Sequence, residues 1–119
     1  MEISSAIDAL SALAHPGRLA VFRLLVRAGP KGLPAGEIAR VLDTPANTMS
    51  AQLAVISRSR LIRSRRDSRS IIYSADYTQI TDLLAFVLED CCQGRPEICT
   101  PIIELAAGLN CCDSREVQL

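Results

Sequence analysis

The stretch GEIARVLDTPANTMSAQLAVISRSRLI, residues 36–62, carries two helical patterns separated by a turn. Leu33-Pro34 opens the first, short one, in which Ile38, Val41 and Leu42 recur at helical spacing. Asp43-Thr44-Pro45 makes the turn: Thr44 suits an N-cap, and Pro45 suits a first helical position, where a missing N–H costs no hydrogen bond. The second helix is expected from about Pro45 to Arg58, with Met49, Leu53 and Ile56 inward. Its other face offers Asn47, Thr48, Ser50 and Gln52, all polar and uncharged. Taken alone, that face is as consistent with a solvated surface as with a binding one.

The flanks decide between the two. Leu61–Arg66 and Ser70–Ala75 read as strands joined at Asp67-Ser68-Arg69, with Ile71, Ile72 and Tyr73 strongly strand-forming. Upstream, Ile3, Ile7, Leu10, Leu13 and Ala14 mark one face of a helix that His15-Pro16 interrupts, because a residue before proline avoids helical angles. His15 is expected to make a local hydrogen bond at this boundary. A second helix follows from Pro16 to about Arg27, with Leu19, Phe22, Leu25 and Val26 apolar, and Gly29-Pro30-Lys31-Gly32 is a loop. Beyond the hairpin a long helix is expected from about Thr78 to Cys92, with Ile80, Leu83, Leu84, Val87 and Cys91 on one side and Gly94 and Pro96 ending it. Pro101 is expected to start a last short helix through Leu105, before a loose tail from Asn110.

A short helix, a tight turn, a helix with a polar face and then a basic hairpin make a winged helix-turn-helix, mostly α with a small β-hairpin. The wide apolar faces of the first and last long helices suit a helical dimer interface. The expected division is a DNA-binding and dimerisation domain over residues 1–92 and a C-terminal extension over 93–119.

The 119 residues allow one compact domain, and 49% hydrophobic against 22% charged residues excludes a disordered chain. No apolar run reaches the ~18 residues of a membrane helix. No Lys or Arg precedes Arg18, which argues against a secretory or transit peptide, so a cytoplasmic location without membrane association is expected. Net charge is zero, yet charge is segregated. Arg58, Arg60, Arg63, Arg65, Arg66 and Arg69 face only Asp67 within residues 58–69, whereas from Asp76 onward eight carboxylates face only Arg95 and Arg115. Arginine supplies planar, bidentate recognition of phosphate and guanine. Arg65, Arg66 and Arg69 in the wing are therefore expected at phosphate or in the minor groove, and Asn47, Thr48, Ser50 and Gln52 at base edges. No nucleophile–base pair, phosphate-binding glycine loop or paired carboxylates stand out, so no enzyme is expected.

All five cysteines, Cys91, Cys92, Cys99, Cys111 and Cys112, fall in the last quarter of the chain. Cysteines used as small buried hydrophobes would not avoid the first 90 residues. Their grouping points to thiols kept for ligation or redox chemistry.

Three segments resemble the arsenic-repressor (ArsR/SmtB) family of metal-responsive transcriptional repressors. They are ALAHPGRLAVFRLL (12–25), the helix-turn-helix quoted above, and RRDSRSIIYSA (65–75), in the family's order. Two departures are Gln52, where many members carry histidine, and Arg60, where glycine is usual before the first strand. The family's Cys-x-Cys arsenic site near the helix-turn-helix is absent, since that region reads Leu33-Pro34-Ala35-Gly36-Glu37-Ile38. Its zinc site of histidines and carboxylates is hard to build with one histidine, His15.

CCQGRPEIC (91–99) resembles instead an arsenic-sensing subgroup with Cys-Cys and a further Cys after the last long helix. The resemblance implies a homodimeric repressor of an arsenic-resistance operon that binds double-stranded operator DNA with an inverted repeat and needs no cofactor for it. Binding of As(III) by Cys91, Cys92 and Cys99 would release the DNA, with Sb(III) and methylated As(III) as further inducers. Three thiolates suit a soft ion whose lone pair fills the fourth direction. Cys111 and Cys112 are open between an accessory ligand pair, a second thiol site and a frayed tail, and with a fourth ligand from them zinc, cadmium or lead remain open. Thiol oxidation as the releasing signal remains open too.

Overall fold

The computed structural model describes residues 1–89 and 96–107. The chain divides into two compact units, Met1–Phe86 and Val87–Leu119. The first contains α1 (Ile3–Leu13), α2 (Pro16–Ala28), β1 (Leu33–Pro34), α3 (Ala35–Val41), α4 (Ala46–Arg58), β2 (Ile62–Asp67), β3 (Ser70–Ala75) and nearly all of α5 (Tyr77–Val87). In the second lies α6 (Pro96–Ala107). The architecture is mostly helical with a small antiparallel sheet, a winged helix-turn-helix. Among the described residues no single helix is long and apolar enough to cross a membrane.

The core of the first unit is aliphatic. Val21, Leu25, Ile38, Met49, Leu53, Ile56 and Leu61 are its largest fully buried side chains, and Ile62, Ala75 and Leu83 extend it. Met49, Leu53 and Ile56 thus point inward from α4 as their spacing predicts. In α2, Leu25 is buried as expected, but Val21 takes the second core place and Leu19 is exposed.

The first helix keeps most of the large residues of its apolar row out of the core. Ala6, Ala9 and Ala12 are its buried residues, while Ile3, Ile7 and Leu10 are 67%, 54% and 50% exposed. Small side chains let α1 lie close on the core, and the row of larger ones faces away from it. A similar division holds in α5, where Leu83 is buried and Leu84 and Val87 are exposed.

Helix boundaries have visible causes. His15 Nδ1 accepts hydrogen bonds from the Gly17 N–H (3.1 Å) and the Arg18 N–H (3.4 Å), capping α2 as a boundary residue should. From the same turn, Arg18 Nε donates to the Ala12 carbonyl (2.6 Å), placing a cation at the C-terminal end of α1. Asp76 caps α5 by accepting from the Gln79 N–H (3.1 Å). On α3, Arg40 pairs with Glu37 one turn back, and this bond holds the Glu37 carboxyl below its ordinary pKa.

Four local expectations are corrected. Leu33-Pro34 forms a strand pairing with Ile72 and Tyr73, so the sheet has three strands in the order β1-β3-β2 and α3 starts at Ala35. Two residues give too little periodicity to be seen as a strand. They reach β3 because Gly32, at φ +70°, lies so close to the Tyr73 carbonyl that a Cβ would overlap it. Secondly, α4 is capped one residue later than expected: Pro45 is its N-cap, and the Thr44 hydroxyl donates to the Leu42 carbonyl (3.0 Å) instead of capping. Thirdly, α5 starts at Tyr77 and, among the described residues, ends at Val87. Fourthly, α6 begins at Pro96 and contains Pro101 in its interior instead of starting there.

Candidate nucleic-acid interface

Successive helical residues turn by about 100°, which sorts the polar residues of α4. Asn47 stands opposite the buried Met49, Leu53 and Ile56 row, with Thr48 to one side and Ser50 to the other. All three are exposed. The outermost row is completed by Ala51, Ala54 and Arg58, also exposed. Reading by polarity alone passes over the two alanines, although their spacing from Asn47 is the available signal. Alanine there can meet a thymine methyl group, and Asn47 can pair with an adenine edge.

Gln52 does not join them. It lies on the flank of α4 that faces α2, half-buried, with its amide against Gly17. A Cβ on Gly17 would overlap the Gln52 amide nitrogen.

The wing is a regular hairpin, with Ile62 opposite Ala75 and Asp67 opposite Ser70. Ser68 and Arg69 form its two-residue turn, and Ser68 supplies the positive φ (56°) that such a turn needs. Strand alternation splits the arginines. Arg65 shares a face with its partner Ile72, whereas Arg66 shares the opposite face with Ile71, and Arg69 stands at the tip. All three are exposed. Arg65 Nη2 donates to the Lys31 carbonyl (2.8 Å), which ties the wing to the loop before β1 and leaves other guanidinium donors for a ligand.

The remaining arginines of the basic cluster divide too. Arg58 and Arg60 line an open cleft with Asp8 of α1 and Asp82 of α5, so carboxylates offset them locally. Arg63 lies on the wing face that carries Arg65. Arg60 has φ +68°, a left-handed conformation just after the C-cap of α4 where glycine is unstrained.

Of the cysteines, Cys91, Cys92, Cys111 and Cys112 lie outside the described residues, as do the expected end of the long helix near Cys92, Gly94 and the tail. Cys99 lies in α6. Among the described residues, no three His, Cys, Asp or Glu side chains gather as a metal site would require.

Residues 13–65 match the family model described as a helix-turn-helix domain. Over 76 residues, 64% of this chain and 75% of the relative, the chain is 34% identical to the HTH-type transcriptional regulator YgaV of Escherichia coli K12. Its fold is similar to that of an ArsR-like transcriptional regulator from Rhodococcus sp. RHA1 (TM-score 0.66, 19% identity), covering 90% of this chain and 97% of that one. It is likewise similar to the homodimeric winged helix-turn-helix DNA-binding domain of Mb0332 from Mycobacterium bovis (TM-score 0.59, 22% identity), over 74% and 82% of the respective chains. The chain belongs to the helix-turn-helix transcriptional regulators and has the winged fold of ArsR-type members.

Proposed function

We propose that two copies of this chain bind operator DNA as a cytoplasmic, metal-free repressor of an arsenic-resistance operon and let go when As(III) is bound by Cys91, Cys92 and Cys99. The observation that carries the DNA-binding part is the joint exposure of Asn47, Thr48 and Ser50 on α4 and of Arg65, Arg66 and Arg69 on the wing beside it. Together they offer base-edge partners and phosphate partners in adjacent elements, the two kinds of contact a sequence-reading domain needs.

Pairing of two copies would cover Ile3, Ile7 and Leu10 on α1 and Leu84 and Val87 on α5, which the monomer leaves in water. Two-fold pairing places two recognition helices on one face of a duplex and calls for an inverted repeat with half-sites roughly one helical turn apart. The homodimeric state of the Mb0332 domain supports this arrangement.

The inducer is argued from the thiols. Cys91, Cys92 and Cys99 offer three soft ligands, which As(III) and Sb(III) accept in a trigonal pyramid, and Cys111 and Cys112 serve as accessory ligands. A coupling of a few kcal/mol between thiol ligation and DNA binding changes occupancy about a hundredfold. The test uses reduced full-length protein and a labelled duplex enriched from a random pool by the protein itself. Arsenite should release the wild type, and Cys91→Ser, Cys92→Ser and Cys99→Ser should hold DNA equally well but no longer release it. Normal release by all three variants would remove the site, and release only by oxidant would make the protein a thiol-redox sensor.

A further inference from the structure

The polar residue of α4 that turns away from the exposed set is the informative one. Gln52 is half-buried while Asn47, Thr48 and Ser50 are exposed. Its amide rests where a side chain of residue 17 would be. A Cβ there would overlap the amide nitrogen, with the amide carbon at 3.1 Å and His15 Cε1 at 3.2 Å.

That spot is the elbow between α1 and α2. His15 Nδ1 holds the Gly17 and Arg18 N–H groups, and the Arg18 guanidinium reaches back to the Ala12 and Ser11 carbonyls at the end of α1. Beyond its buried row, the recognition helix thus rests one polar side chain, Gln52, on a turn bonded to both α1 and α2.

We infer that Gln52 is a positioning residue, not a base reader: its amide, packed on Gly17, refines the rotation of α4 that the buried Met49, Leu53 and Ile56 row sets, and so the depth at which Asn47, Thr48 and Ser50 enter the groove. This rests on the DNA-binding reading above. A helix turned by a small angle moves every groove-facing side chain at once, so loss of this seat should blur recognition across the half-site. Loss of one base contact would act at one position only. The seat has a second signature. The group that a residue-17 side chain would displace is the far end of a flexible side chain, so Gly17→Ala should leave the fold intact and act by expelling the Gln52 amide.

The experiment is a double-mutant cycle on full-length reduced protein. Wild type, Gly17→Ala, Gln52→Ala and the double variant are compared by in vitro selection from a random duplex pool. Anisotropy on the enriched duplex and on its scrambled version gives the affinities, and thermal melting confirms folding. Each single variant should lose about tenfold in preference for the enriched over the scrambled duplex, a mid-range coupling for residues in contact. The loss should be spread over all positions of the half-site. The double variant should be little worse than Gln52→Ala, because without the amide the added methyl meets only His15 Cε1, at 3.2 Å.

A change confined to one base pair in Gln52→Ala, with none in Gly17→Ala, would make Gln52 a base contact and overturn the inference. Lower melting temperatures with unchanged preference would make the contact merely structural and overturn it equally. Failure of the wild type to enrich any duplex would instead remove the DNA-binding reading on which the inference rests.

Discussion

The first helix and the recognition helix solve opposite packing problems with similar sequence patterns. In α4 the large apolar residues Met49, Leu53 and Ile56 are buried, and Asn47, Thr48, Ser50, Ala51 and Ala54 are exposed. In α1 Ala6, Ala9 and Ala12 are buried, and Ile3, Ile7 and Leu10 stand out. Periodicity reports that a helix has an apolar face; it does not report whether that face meets its own core or something else. Alpha-1 has two apolar faces, a flat alanine face for close approach and a bulky one left exposed.

This difference can be broken first at the bulky residues. Leu53→Ala should cost about 2–5 kcal/mol in urea unfolding, since it leaves a cavity in a closed core. The same substitution at Leu10 should change the stability of dilute monomer by less than about 0.5 kcal/mol, as expected for an exposed site, while weakening self-association in sedimentation equilibrium. Equal losses at both positions would mean that Leu10 packs into its own core. The alanine face is tested in the reverse direction: Ala9→Leu should destabilise by about 1–3 kcal/mol through overpacking, whereas Ile7→Leu should be nearly silent in the same assay.

Smaller effects are expected at the turns that join these helices to the rest. His15→Ala removes the N-cap of α2 and should cost about 1 kcal/mol, much of it restored in His15→Asn, measured by thermal or urea unfolding. Arg60→Gly relieves a left-handed backbone worth about 1–2 kcal/mol but gives the unfolded chain about 0.5–1 kcal/mol of extra freedom. A net gain between zero and about 1.5 kcal/mol in urea unfolding is therefore expected. A loss would mean that the Arg60 side chain in its cleft with Asp8 and Asp82 contributes more than the backbone strain costs.

Much of this molecule was legible before its structure. The helix-turn-helix, the hairpin and the boundary role of His15 follow from spacing, turn chemistry and proline, although the hairpin turns on Ser68 and Arg69 alone, with Asp67 in β2 paired to Ser70. What was not legible depended on contacts distant in sequence. Leu33-Pro34 is a strand only because β3 lies beside it, and Gln52 is docked only because Gly17 lacks a side chain. The wing arginines Arg65 and Arg66 fall on opposite faces through strand alternation, which was available in the sequence but hidden by reading the basic run as a block. The alanines of the outermost α4 row were passed over because polarity, not position, selected the candidates, and Arg58 was read with the basic run and not with α4.

The division of labour between α4 and the wing is tested most directly by anisotropy on the enriched and scrambled duplexes across a salt series, with Asn47→Ala and Arg66→Ala beside the wild type. Arg66→Ala should weaken both duplexes about equally and reduce the salt slope by about one unit. Asn47→Ala should cost about 1–3 kcal/mol on the enriched duplex and leave the scrambled one nearly unchanged, with the salt slope intact. If the two variants behave alike on both duplexes, α4 does not read bases and the wing is not its phosphate anchor.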